Sequence, residues 1–256
     1  MSLGTALRPL VSALALAAVA GCGSVNPDSA APATDAYKLL RYPKSQPVEP
    51  VDGNKVDPGI GRMLGVHPQE ISGHITYLGK TSELPKEGAL TLGTGPKPGD
   101  FQIGFFYGDD RFPYETIMFS WEPHAGTLNA MQIFNPLDTR MTLQCVVDGG
   151  LRLADTTKPG DRVALSGTCL GGTKLTGEFR VEGSRRAVWD GKPVELLATV
   201  ADVQVSGPTT GTLHEVNDLV KGSNIAVNTT LDLNVTSQGV PLEEHMERHA
   251  LPRVQE

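Results

Sequence analysis

The stretch KLTGEFRVEGSRRAVWDGKPVELLATVADVQVSG, residues 174–207, decides the fold. In its first half Leu175, Gly177, Phe179 and Val181 share a face, and the run ends at Val188 and Trp189. Side chains of an extended chain alternate between faces, so a period of two predicts a strand with one buried face. Asp190-Gly191 comes next. Such a pair between two β-prone runs predicts a two-residue type I′ turn, because both positions need positive φ. The return strand presents Val194, Leu196, Ala198 and Val200, then changes phase to Val203 and Val205. That slip predicts a β-bulge near Ala201-Asp202.

Working outward, the same pattern recurs on both sides. EISGHITYL (70–78), GALTLG (88–93), DFQIGFFYGDD (100–110), ETIMFSW (115–121) and LNAMQIF (128–134) are short β-prone runs between glycine or proline clusters. Phe101, Ile103, Phe105 and Tyr107 alternate with Gln102, Gly104 and Phe106. Downstream, Leu231, Leu233 and Val235 alternate before the turn residues SQGVP. Turn punctuation between period-two runs predicts an antiparallel sheet. The fold expected is all-β and mainly antiparallel, an open or half-barrel sheet or sheets with at most two short helices. The β domain should span 68–256, either as one unit or as two related sheets, about 68–139 and 140–256.

Two segments carry near-helical spacing. TLHEVNDLVKG (212–222) places Leu213, Val216, Leu219 and Val220 on one stripe. PLEEHMERHAL (241–251) has Pro241 early and acids in what would be a first turn. Read as a helix, it would bury Leu242, Met246 and Ala250. The preceding strand ends in Ser-Gln-Gly-Val, however, and such an ending turns the chain back to pair with the next segment. An edge strand is therefore expected, its mixed charges opposing edge-to-edge association.

The N-terminus gives an address. After Arg8, the one charged residue before Cys22, Leu10 to Ala20 is apolar apart from Ser12. That run is too short for a bilayer-spanning helix of roughly 20 residues and right for a signal-peptide core. Val19, Ala20 and Gly21 precede Cys22, and Val-Ala-Gly-Cys resembles the lipobox of bacterial lipoproteins. The resemblance implies that residues 1–21 are a lipoprotein signal peptide. Cys22 would carry diacylglycerol through a thioether, and its exposed amine would be acylated. Two or three acyl chains anchor stably where one does not, at about 0.8 kcal/mol per buried methylene. The expected location is the extracytoplasmic face of the cell membrane, with the lipid bilayer as partner through acylated Cys22. Residues 22–67 then read as the lipidated Cys and a disordered Pro-rich tether. As a coil it would reach roughly 30–35 Å.

Charge excludes some partners. The chain of 256 residues carries a net charge of −7, and from Cys22 onward 21 basic residues face 29 acidic ones. No basic stripe is present, which argues against a nucleic-acid partner and against electrostatic docking on anionic lipid. With Cys22 lipidated, Cys145 and Cys169 remain. An even remainder in an exported chain predicts one disulfide, with Cα atoms about 5–6 Å apart. Leu143, Cys145 and Val147 share a face of MTLQCVVDGG (141–150). Val163, Leu165 and Cys169 share one of DRVALSGTCLGG (161–172).

KPGDRVALSGTC, the hairpin around VWDGKPVELLATV and the run NTTLDLNVTSQGVPLEE carry a second resemblance. Together they look like the C-terminal half of exported actinobacterial lipoproteins of uncharacterised role. The shared features are a Pro-Gly-Asp entry, a Gly-centred hairpin and a closing Gly-Leu/Val-Pro turn, over about residues 140–250. Many of these proteins have Trp where this chain has Leu231 or Asp232. The resemblance implies no catalytic residues. The architecture is also similar to the half-barrel of bacterial lipoprotein and lipid carriers, which is an analogy of fold alone.

Catalytic patterns are sparse. No GxSxG elbow, HExxH helix or P-loop occurs, and in GTGPKPGD (93–100) Pro96 and Pro98 remove the amide donors a phosphate cradle needs. Ser120, Glu122 and His124 lie close in sequence, with nothing to orient them as a triad. On a strand His245 and His249 would stand about 13 Å apart at 3.3 Å per residue, too far to share a metal. Two cysteines without a CxxC or CxxH partner make a poor zinc set. No metal and no cofactor is expected. The function expected is non-enzymatic binding of an apolar ligand, a wall component or an envelope protein, with Phe101, Phe105 and Phe119 as candidate ligand contacts. A small hydrolase or cell-wall-modifying enzyme is the alternative. If the lipobox reading holds, Cys22→Ala abolishes labelling by radioactive fatty acid and releases the chain from the membrane fraction; continued labelling refutes it.

Overall fold

The computed structural model describes residues 65–94, 100–107, 115–122, 125–135, 138–222 and 225–255. Residues 1–64, on which the signal-peptide and Cys22 expectations and most of the tether expectation fall, lie outside the described residues.

The protein is all-β, and every strand pairing is antiparallel. The strands are β1 (Gly65–Tyr77), β2 (Lys80–Glu83), β3 (Glu87–Thr94), β4 (Asp100–Tyr107), β5 (Glu115–Glu122), β6 (Ala125–Asn135) and β7 (Asp138–Ala154). They continue as β8 (Arg162–Cys169), β9 (Lys174–Trp189), β10 (Lys192–Ser206), β11 (Thr209–Val220), β12 (Ile225–Ser237) and β13 (Val240–Ala250). From β3 to β13 each strand lies beside the next in sequence, and β1 stands between β2 and β3. Segments 68–139 and 140–256 lie in one sheet, because β6 pairs with β7 from Ala125↔Ala154 to Asn135↔Asp138.

The sheet is curled. Its last strand returns to its first, and β13 pairs with β1 from Tyr77↔Leu242 to Gln69↔Ala250. It is open elsewhere. Between β7 and β8 only Cys145↔Cys169, Val146↔Thr168 and Val147↔Gly167 are paired, although β7 runs on to Ala154. Beyond those pairs a slit in the hydrogen-bond ladder divides the two strands, whose side chains Val147, Leu151, Leu153, Val163 and Leu165 pack in one cluster there. The loop after β7 turns to β9, where Gly160 N donates to Val181 O and Val181 N donates to Asp161 O.

Turn chemistry explains the hairpins. Asp190 and Gly191 have φ of 49° and 67° between the paired Trp189 and Lys192, as a type I′ turn requires. Gln238 and Gly239 repeat this with 52° and 80° between Ser237 and Val240. The bulge falls elsewhere than expected. The register shifts between Ala198 and Thr199, whose partners are Gly183 and Val181, so Glu182 is skipped. The extra residue belongs to β9, while β10 is paired without a gap from Lys192 to Ser206, so the phase change read in the return strand does not mark the bulge.

Both helix-spaced segments are strands. TLHEVNDLVKG contributes to β11, where Val216 is exposed while Leu213, Leu219 and Val220 are buried. The buried set is therefore not the helical stripe, and pairing with β10 and β12 outweighs the local spacing. PLEEHMERHAL forms most of β13, the strand reading, but it is not an edge: β12 and β1 flank it. A 3-10 turn at Leu170–Gly172 is the one helical element among the described residues.

The disulfide joins Cys145 and Cys169, with S–S 2.10 Å. Their Cα atoms are 3.8 Å apart, closer than expected, and the two residues are direct partners across β7 and β8. In the chain-entropy picture a loop of this length stabilises by about 3–4 kcal/mol. The double variant Cys145→Ser/Cys169→Ser should lose about that much in urea unfolding with an unchanged far-UV spectrum.

Candidate functional site

Inward-facing residues of the curled sheet leave a cavity of about 160 Å³. The alternation read in the 174–207 stretch builds part of its wall: Leu175 and Phe179 from β9, Val203 and Val205 from β10. Ile103 and Phe105 of β4 reach it from the other side. All but four of its 22 lining residues are apolar; the four are Ser166, Glu215, Asn217 and Arg248. Leu151, Leu153, Val147 and Leu165, from the two strands that flank the slit, also line it.

The polar groups are ordered by register. Thr199, Asn217, Thr229 and Arg248 are successive partners across β10, β11, β12 and β13, and all four are buried. Thr229 Oγ1 donates to Asn217 Oδ1 at 2.7 Å, and Thr199 Oγ1 donates to Asn217 O at 3.3 Å. Hydrogen bonding of this kind offsets the cost of burying polar groups. The Arg248 guanidinium lies 3.6 Å from the centroid of the Phe105 ring, a cation–π contact away from water.

The structure divides the three aromatic candidates. Phe105 is 2% exposed and lines the cavity. Phe101 is 3% exposed and packs with Trp189, Leu196 and Ile225 in the cluster to which Phe105 also belongs, but it does not line the cavity. The two differ because the cavity does not run the full length of β4. The side chain of Phe119 lies outside the described residues, as do those of Ser120 and Glu122 and the whole of His124. Sequence reasoning missed Asn217, Glu215 and Arg248. Their signal was Glu215 and Asn217 standing between Leu213 and Leu219 on one face of β11, and Arg248 between Met246 and Ala250 on one face of β13, legible only once both segments are read as strands.

His245 and His249 have separate partners. His245 Nδ1 bonds Asp232 Oδ1 at 2.6 Å, and His249 Nδ1 bonds Asn228 Oδ1 at 3.0 Å. Among the described residues no group of three His, Cys, Asp or Glu is placed to hold a metal ion. His245 belongs instead to a transverse row on the opposite face of the sheet. Asp202, His214, Asp232, His245 and His74 are successive partners from β10 through β13 to β1. His214 Nδ1 bonds Asp202 Oδ1 at 2.6 Å, and Arg180 bonds the second oxygen of the same carboxylate.

No protein family, curated protein or solved structure matches this chain.

The hydrogen bond with His214, and after it that from Arg180, holds the Asp202 carboxyl below its usual 3.8, against a smaller opposing effect of burial. Arg253 does the same for Glu70, where C-terminal residues meet β1. Both acids have folded values below their unfolded ones. Their contributions are complete above the unfolded values and vanish as pH falls through the folded ones. Stability should therefore fall on acidification below about pH 4, the ordinary carboxylate range. Asp202→Asn should make that fall shallower in pH-dependent urea unfolding; an unchanged slope would separate Asp202 from the acid response.

Proposed function

We propose that this chain is a lipid-anchored protein of the extracytoplasmic membrane face that binds an apolar ligand in its internal cavity without transforming it. The observation that supports this is the cavity itself. A packed protein interior leaves few voids larger than a water molecule, yet here about 160 Å³ is left among leucine, valine and phenylalanine side chains. Engineered cavities of about 150 Å³ with such walls stay dry and take up benzene. A pocket of apolar walls with a few convergent polar groups is the usual form of a small-molecule site. Anchoring rests on Cys22, and the seam between β7 and β8, where side chains rather than ladder pairs join the strands, is the route this reading assigns to a membrane-derived or wall-derived molecule.

Benzene tests the cavity. At saturation it should raise the melting temperature of the full chain by a few degrees through mass action. Val203→Trp, which places an indole where the valine lines the cavity, should abolish the shift while the variant still unfolds cooperatively. Leu175→Phe is a milder filling that should reduce it. Absence of any shift in the unmodified chain would sink the proposal.

A further inference from the structure

We infer that His74 and His245 form a two-histidine site for a late first-row divalent cation, Cu²⁺ above all, which clips β1 to β13 on the outer face of the sheet. The site lies on the face opposite the cavity and does not depend on it. The two histidines are direct partners in the pairing that brings the last strand to the first. Side chains directly opposite on one face of an antiparallel pair have Cβ atoms about 4.5–5.5 Å apart. The two ring centroids lie 6.0 Å apart with the ring planes tilted by 40°. Metal–imidazole bonds of about 2.0–2.1 Å put two rings on one ion with centroids up to roughly 6.5 Å apart. The pair is within that reach, so side-chain rotation suffices. Sequence spacing hides the site, because its halves come from the first strand and the last.

His245 is already oriented for the task. Its Nδ1 bonds Asp232 Oδ1 at 2.6 Å. A carboxylate on one ring nitrogen fixes the tautomer and leaves the other nitrogen as the ligand, with raised basicity. That other nitrogen, Nε2, stands 3.9 Å from Glu247 Oε1, beyond hydrogen-bond range. His74 is exposed, with the His245 ring beside it. Among the described residues no group of three His, Cys, Asp or Glu is placed to hold an ion, so water completes the coordination. The surrounding acids add field rather than ligands. Glu83 is the partner of His74 on β2, and Glu243 and Glu247 flank His245 along β13. Negative charge of this kind raises the local concentration of cations. The donor type selects among them. Imidazole suits Cu²⁺, Ni²⁺ and Zn²⁺, with Cu²⁺ first in the affinity order, whereas Ca²⁺ and Mg²⁺ take oxygen ligands. An ion held by both rings ties β1 to β13 and stabilises the folded chain by mass action.

The test is a titration of the full chain with copper(II) chloride, read by electron paramagnetic resonance. Thermal unfolding with zinc chloride and with calcium chloride runs in parallel. All samples carry Cys22→Ala, so that no thiol at that position competes for the metal. The bound Cu²⁺ should show nitrogen coupling from two imidazoles, and excess Zn²⁺ should raise the melting temperature where Ca²⁺ does not. His74→Ala and His245→Gln should each weaken Cu²⁺ binding ten-fold or more and abolish the Zn²⁺ shift. Asp232→Asn should weaken it about ten-fold through lost orientation of the ring, and His249→Gln should leave it unchanged. If His74→Ala binds Cu²⁺ as the parent does, or if Ca²⁺ gives the same shift as Zn²⁺, the two-histidine site is overturned. His74 is exposed, so its replacement spares the core, and an unchanged far-UV spectrum verifies this. None of these outcomes alters the reading of the cavity, which benzene tests separately.

Discussion

Everything inside this protein depends on β13 reaching β1. Without that pairing the strand order would end in two long free edges, each a row of unpaired amides and carbonyls open to association. The contact runs over nine residue pairs, from Gln69↔Ala250 to Tyr77↔Leu242. It also requires a close approach. Gly73 sits opposite Met246 with φ of 129°, and a Cβ there would lie 2.0 Å from the carbonyl oxygen of His245. Only glycine has both the conformation and the room. The bend it permits lets Ile71 and Ile75 point into the cluster that also buries Leu231, Leu233, Leu242 and Met246.

Curling gives the sheet two unlike faces. Inside, apolar residues from sequence-distant strands meet, and Arg248, contributed by β13, comes to stack on Phe105 of β4. Outside, the same register lines up Asp202, His214, Asp232 and His245 in opposite-charge or hydrogen-bonding pairs across neighbouring strands. Exposed pairs of this kind contribute little each, about 0.2–1 kcal/mol. Their role is register: a slip of one residue would send every carboxylate and imidazole of the row inward and every leucine outward. The hydrophobic pattern and the polar row therefore specify one pairing together.

Much of this was legible in the sequence, and the limits are instructive. Hairpin turns announce themselves through Asp190-Gly191 and Gln238-Gly239, because positive φ restricts the residues that can serve. A tight turn also fixes all contacts behind it. With Ser237 opposite Val240, Asp232 must face His245, so that bond follows from the turn alone. What a single chain does not announce is pairing across long separations. Nothing local marks β13 as the partner of β1, about 175 residues away, and without that partner PLEEHMERHAL looks like an edge or a helix. The cavity was hidden for the same reason. Phe101 and Phe105 have the same period and chemistry, and only the shape of the closed-up interior separates the one that packs solidly from the one that borders a void.

The slit and the disulfide belong to one arrangement. Where β7 and β8 diverge, the wall forgoes the ladder hydrogen bonds that hold every other neighbour pair over longer stretches. The three pairs that remain include Cys145↔Cys169 itself. A covalent link therefore stands where backbone bonding is thinnest, and it fixes the point from which the strands separate. The loop that leaves β7 is tied to β9 through Gly160 and Val181 rather than to β8. The strands on either side stay paired, β8 with β9 from Arg162 to Thr168 and β6 with β7 on both sides of an interruption at Asn129. Parting of the slit thus costs side-chain contacts among Val147, Leu151, Leu153 and Leu165 but no ladder pairs. The unpaired stretch of β7 and β8 and the paired strands around it meet at one seam, with the disulfide as its fixed end.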